Sequence, residues 1–254
     1  MQPWTFDETL VAFYVYSRVP FARVTRRHPL VVECAQLIGR TPSALGMKVG
    51  NLGRWDPSLR ARGIVGLRHG ARLEGAVWEA FNADPEGTAV RCEELVARYR
   101  GEDVVISAGV SVRDLPLGET RERVVRARIG QSFFRAAVLS AYGERCCVTG
   151  LGAPQLLEAC HIVSWQEDAH NRTNPCNGLC LNVLLHRAYD SNLFAVTPDY
   201  EVVVSDTLLR AAGDNAFCEW IVGLAGSQLR LPDKFLPDRE LLSMHFVEYL
   251  AAGM

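Results

Sequence analysis

The chain has 254 residues, 48% of them hydrophobic and 22% charged, with a formal net charge of −2. That balance excludes a disordered chain and allows a core large enough for one large domain or two ordinary ones, while the net charge argues neither for nor against a polyanionic partner. No apolar run reaches the length a membrane helix needs, and "MQPWTFDETL" lacks a basic segment followed by an apolar one, so a cytoplasmic protein without a signal peptide is expected.

The first predicted element is an amphipathic helix over 6–18, "FDETLVAFYVYSR". A second helix fits "PLVVECAQLIG", with Pro29 in its first turn. A third follows in "RTPSALGMKVGNLGRW", where Thr41 suits the N-cap and Pro42 the first helical position. Gly39-Arg40-Thr41 is then a tight turn, and the pair fits a helix-turn-helix. On the second helix of that pair Ser43, Lys48 and Asn51 are polar, and Arg54 lies just beyond. These residues, with Arg40 in the turn, are candidates for contact with a DNA groove or phosphates; a plain helical hairpin is the alternative. Charge favours contact, because residues 1–72 hold eleven Lys or Arg against four Asp or Glu.

"GLRHGARLEGAVWEAFNADPEG" predicts a further helix ending near Pro85 and Gly87, and 88–100 looks helical. Residues 101–120 are loop-rich with short strands and are expected to connect two domains. A long helix then runs from about Arg121 to Tyr142, where Arg128, Gln131 and Arg135 either touch phosphates or form a solvated face. "CCVTGLGAPQLLEACHIV" predicts two short strands with a turn at Thr149–Pro154. A polar loop, a turn at Asn177-Gly178 and a helix over "LCLNVLLHRAYD" follow. The tail predicts a strand in "YEVVVSD" and helices in "AFCEWIVGL" and "ELLSMHFVEYL".

The densest chemistry lies between 146 and 194. His186 and Asp190 are four residues apart on a predicted helix, so they share one face and can hold one divalent cation. Asn177 lies nine residues before His186, and His161 sixteen before Asn177. In this order and spacing the chain resembles the HNH endonucleases of ββα-metal fold. It is closest to a subgroup of bacterial restriction endonucleases that runs C-x-x-T-G, L-x-A-x-H-I, N-P-x-N-G-L-x-L and a helix ending in Phe/Tyr-Asp. This chain has Cys147-Val148-Thr149-Gly150, Leu157-Glu158-Ala159-Cys160-His161-Ile162, Asn174-Pro175-Cys176-Asn177-Gly178-Leu179-Cys180-Leu181 and Tyr189-Asp190.

The resemblance covers about 121–254 and implies a one-metal phosphodiesterase acting on double-stranded DNA. His161 would be the general base and Asn177 would fix the geometry of the site. His186 and Asp190 would ligate one divalent ion, Mg²⁺ or Mn²⁺ by family habit. The chain departs from the family at Cys160, where an acidic residue or histidine often ligates the metal. A sulfur ligand would shift preference toward Zn²⁺ or Ni²⁺, whereas a bystander Cys160 leaves water to complete the shell. Glu158, two residues back on the same strand face, is a reserve ligand. The blander alternatives are a core histidine at 161, a surface pair at 186 and 190, and structural zinc among the eight cysteines, none of which sits in a C-x₂-C knuckle. A zinc nucleobase deaminase is excluded: Val163 stands where its glutamate is required, and Cys180 comes one residue late after Pro175-Cys176.

The expected fold is therefore α+β: a mainly helical, helix-turn-helix-like domain over 1–95, a linker over 96–120 and a ββα-metal HNH domain over 121–254. Cutting both strands with a single-site nuclease calls for a homodimer. The competing function is a helix-turn-helix DNA-binding protein whose HNH module is inactive or structural.

Overall fold

Pro29, Pro42, Pro57 and Pro85 each stand at the start of a helix, where a missing N–H costs nothing. A computed structural model describes residues 3–64, 72–111, 119–211, 213 and 215–253. The N-terminal part is helical, as expected. Helix α1 (Phe6–Arg18) opens with a capping box between Thr5 and Glu8. Helices α2 (Pro29–Leu37) and α3 (Pro42–Leu52) form the anticipated hairpin; Thr41 caps α3 through the Ala44 N–H, and Gly39 takes φ +66° in the turn. A short α4 (Pro57–Ala61), capped by Asp56, was not anticipated.

Helix α5 (Arg72–Ala83) covers the described part of the predicted 66–87 element; the residues before it, including His69, lie outside the described residues. Helix α6 (Pro85–Arg100) begins where a helix end was expected. Asp84 caps it by accepting from the Gly87 N–H, so Pro85 starts a helix here instead of trailing one. Where 101–120 was expected to hold short strands, the described portion is a single helical turn, α7 (Val104–Ser107), capped by Asp103; 112–118 lie outside the described residues.

Helix α8 (Glu119–Ala141) joins the halves: it packs on α1 and α6 on one side and on the strands β1 (Leu157–His161) and β2 (Gly178–Asn182) on the other. The two strands pair antiparallel. Two expectations are corrected here. Residues 146–149 turn rather than extend, and 178–182 is a strand rather than the first part of a helix. The helix α9 (Val183–Asp190) starts only after Asn182, whose side chain accepts from Leu184 N and Leu185 N. A second antiparallel pair, β3 (Phe194–Val196) and β4 (Val202–Val204), precedes α10 (Asp206–Ala211), α11 (Ala216–Val222) and α12 (Arg239–Ala252). No described helix is long and apolar enough to cross a membrane.

One apolar core runs from α1 to α12. Its centre is aromatic: Phe13, Tyr16, Trp78, Phe81 and Phe235 meet at ring-centroid distances of 5.0–6.5 Å. Buried polar groups fasten the N- and C-terminal segments together. Tyr16 Oη donates to Asp56 (2.7 Å), which also accepts from Phe235 N (2.9 Å). Lys234, fully buried, donates to the Tyr16 carbonyl and to Val19 O (2.8 Å), so it closes the carbonyl end of α1.

The thiols of Cys34 and Cys180 are pushed up to about 12, and those of Cys92, Cys147, Cys160 and Cys176 are also raised, in each case chiefly by burial. An unfolded chain releases thiol protons near about pH 8.5, whereas the folded one keeps them. Their contribution is therefore complete below that pH and is lost as pH rises toward the folded values. Lys234, pushed down to about 7 by burial, works in the opposite sense, as one group against six. Urea unfolding under reducing conditions should show a lower midpoint at pH 9.5 than at pH 7.5, by at least about 1 kcal/mol; an equal or higher midpoint would contradict the assignment.

Candidate active site

The pairing of β1 with β2 sets the site. Leu157 lies opposite Asn182, and His161 opposite Gly178. Alternate side chains of β1 face opposite ways. Glu158 and Cys160 meet α9, while His161 meets α8. There the imidazole lies flat on the Phe134 ring, 3.8 Å between centroids and 7° between planes, with Trp165 edge-on at 5.8 Å. Gly178 is required where the strand passes under α8: a Cβ there would come within 2.4 Å of Val138 Cγ2 and 3.0 Å of Phe134 Cζ.

His161 Nε2 lies 2.9 Å from the Arg172 carbonyl. A carbonyl can only accept, so Nε2 carries the proton and Nδ1 is left as the ring's acceptor. Burial lowers the His161 pKa, with the Arg172 bond pulling against it, so the ring is neutral at pH 7. The loop that delivers this carbonyl is internally braced. Arg172 donates to Trp165 O (2.6 Å) and stacks over the Trp165 ring, and Asp168 accepts from the backbone of His170 and Asn171.

Asn177 is fully buried, and its amide is consumed by backbone. Oδ1 accepts from Val163 N (2.8 Å), and Nδ2 donates to Val163 O (3.0 Å) and Asn171 O (3.3 Å). It sits in a short turn before β2 rather than beside the helix, and it staples the end of β1 to the loop.

On α9, His186 Nδ1 bonds the Glu158 carboxylate, and Nε2 lies 3.5 Å from Asp190 Oδ2. A carboxylate on Nδ1 orients the ring so that Nε2 is the nitrogen facing Asp190. Ligand atoms of Cys160, His186 and Asp190 lie within 4.8 Å of one another, the group among the described residues that could hold a metal ion. The Cys160 sulfur is buried and points its hydrogen at His161 O (3.4 Å). His161, His186 and Asp190 line one cleft of about 430 Å³, together with Trp165, Glu167 and His245.

The N-terminal candidates fare differently. Lys48 is 8% exposed and donates to Glu74 (3.1 Å), with Trp4 against it; it faces α5, not a groove. Arg40 is spent on Glu8 and the Pro3 carbonyl beside Trp4. Ser43 is exposed, and Asn51 and Arg54 are half-buried with interactions of their own. Arg128 donates to Ser111 O (3.2 Å), and Arg135, exposed, to Leu157 O (2.7 Å) beside the site.

Sequence reasoning missed four participants: Phe134 and Trp165 around His161, the Arg172 carbonyl, and His245 from α12. Any residue can supply a carbonyl, so Arg172 carried no signal, and His245 lies too far along the chain for spacing to reveal it. Glu158 was visible through strand alternation, but as a ligand rather than as the group that orients His186.

Residues 146–197 match the family model described as HNH endonuclease. This segment is an HNH module, as the strand–strand–helix arrangement of β1, β2 and α9 requires, and it indicates a nuclease of DNA-endonuclease type. No curated protein matches the chain.

Replacing Asn177 with Ala leaves Val163 N and O buried without their partners. Unfolding should show a loss of about 2–4 kcal/mol; a loss below about 0.5 kcal/mol would mean that the staple is dispensable.

Proposed function

We propose that the protein is a divalent-metal-dependent endonuclease that hydrolyses phosphodiester bonds of double-stranded DNA, of restriction type. The observation that supports it most is the fixed tautomer of His161: an uncharged imidazole with Nδ1 free to accept, in one cleft with His186 and Asp190. A purely structural HNH module gains nothing from a basic nitrogen presented to an open cleft.

The donor set fits a metal. His186 Nε2 and Asp190, oriented through Glu158, would hold the ion, with water completing the shell for Mg²⁺ or Mn²⁺. Cys160 is close enough to join if the ion is Zn²⁺ or Ni²⁺ and the thiol gives up its proton. When bound, a divalent cation neutralises charge on the phosphate and on the departing 3′-oxygen. His161 Nδ1 takes a proton from water, whose oxygen forms the new bond to phosphorus as the bond to the 3′-oxygen breaks. Phe134 and the Arg172 carbonyl keep the ring in line. Asn177 acts by positioning, since its amide is occupied by backbone.

In this reading residues 1–95 recognise DNA through the α2–α3 hairpin, with Ser43, Asn51 and Arg54 the remaining candidates there. Residues 121–254 carry the nuclease, with Arg128 and Arg135 along α8, and 96–120 connect the two. A cytoplasmic homodimer would cut both strands.

Plasmid cleavage with Mg²⁺, Mn²⁺, Zn²⁺ and Ni²⁺ tests the proposal. His161→Ala should lose at least about 10²-fold in rate while keeping DNA and metal affinity; a variant that cuts as fast as wild type would remove His161 as the base. His186→Ala and Asp190→Ala should lose metal affinity by calorimetry. Cys160→Ser should weaken only Zn²⁺ and Ni²⁺ binding.

A further inference from the structure

The cleft has a second histidine that the HNH segment does not supply. His245 lies on α12, outside residues 146–197, yet it lines the same cleft as His161, His186 and Asp190. Its ring is 7% exposed and lies flat on Tyr189, 3.9 Å between centroids and 8° between planes. This repeats the way His161 lies on Phe134. Tyr189 is held in turn by Phe194 at 5.5 Å, and it directly precedes Asp190. The His245 ring is thus fixed against the helix that carries the metal candidates.

Packing alone does not account for a histidine here. Nδ1 is buried and has no hydrogen-bond partner among the described residues, a cost that phenylalanine on the same stack would avoid. Burial drives the His245 pKa to about 4, against smaller upward pulls from Glu167 and the Tyr189 backbone, so the ring is uncharged at neutral pH. A neutral imidazole has one N–H donor and one acceptor. Around it the cleft presents the carboxylates of Glu167, Asp190 and Glu248, which only accept. Ser164 Oγ, also on the lining, is already committed to Glu167 at 2.6 Å. A phosphate oxygen entering the cleft needs donors, and His245 brings one on a rigid support.

We propose that His245 is a further catalytic residue, an uncharged imidazole that donates a hydrogen bond to a non-bridging oxygen of the bound phosphodiester. The inference rests on the nuclease reading above. It places α12 in the reaction centre, so the HNH segment alone would be an incomplete enzyme.

The test compares the full-length wild type, His161→Ala, His245→Phe and His245→Gln on a duplex oligonucleotide at saturating Mn²⁺. Metal affinity is followed by calorimetry and folding by thermal melting. His245→Phe keeps the stack on Tyr189 and removes the nitrogens. It should melt and bind Mn²⁺ as wild type does and lose about 10²-fold in kcat. His245→Gln, which restores a donor, should recover part of that loss. Wild-type kcat and KM in the folded Phe variant would overturn the inference and leave the nuclease reading standing. Lost Mn²⁺ affinity in either variant would also overturn it, in favour of a purely structural support for α9. If Phe does not fold, the Gln variant decides: a rate no better than that of a His245→Ala variant overturns the donor role. A wild type that cuts no faster than His161→Ala would sink the nuclease reading, and this inference with it.

Discussion

The site depends on one register, five residue pairs between β1 and β2. At one end His161 sits opposite Gly178, and at the other Leu157 sits opposite Asn182, the residue that caps α9. The same ladder therefore places the imidazole and the start of the helix that carries His186 and Asp190. Slipping the pairing by one residue would turn Glu158 and Cys160 away from α9 and His161 away from Phe134. Asn177 guards against that slip, because its amide ties the end of β1 to the turn that begins β2.

Helix α8 converts this local register into a property of the whole chain. It lies on α1 and α6 with one face and on the strands with the other, and Phe134, the support of His161, projects from it. Burial on both faces gives the aromatic support few alternative positions. Lys234 and Asp56 add a second tie between N- and C-terminal segments, through buried hydrogen bonds whose polar groups would be costly to leave unpaired. The HNH segment is thus held from outside its own boundaries, by α8 before it and α12 after it.

What could be read in the sequence follows the range of the interactions. Helical spacing is local, so the shared face of His186 and Asp190 was legible, as were α1, the α2–α3 hairpin and Thr41 as a cap. Strand alternation is also local, and it put Glu158 beside Cys160. Residues 178–182 were misread as helix because "GLCLN" is buried on both faces and shows no period of two; Asn182, a strong N-cap, was the overlooked sign that the helix begins later. Lys48 looked like a solvent-facing cation because its partner, Glu74, lies 26 residues away and only the packing of α3 on α5 brings them together. The tautomer of His161 rests on a backbone carbonyl, which no residue type announces.

Charge around the cleft bears on how a polyanion could use it. Glu167, Asp190 and Glu248 line the cleft itself, and Glu158 stands behind His186. Arginines stand off to the side: Arg123, Arg126 and Arg172 share a neighbouring hollow with Trp165, the residue that also walls the cleft. A phosphodiester approaching the carboxylates alone would meet like charge at short range, where a partly dry site screens poorly. The flanking arginines can hold the backbone on either side of that point, but they cannot cancel the repulsion within it. Tight seating of the scissile phosphate in such a cleft therefore requires positive charge between Asp190 and the phosphate. In the nuclease reading this makes the metal a condition of productive DNA binding as well as of bond cleavage, and it gives the acidic lining a role in keeping the unloaded cleft closed to nucleic acid.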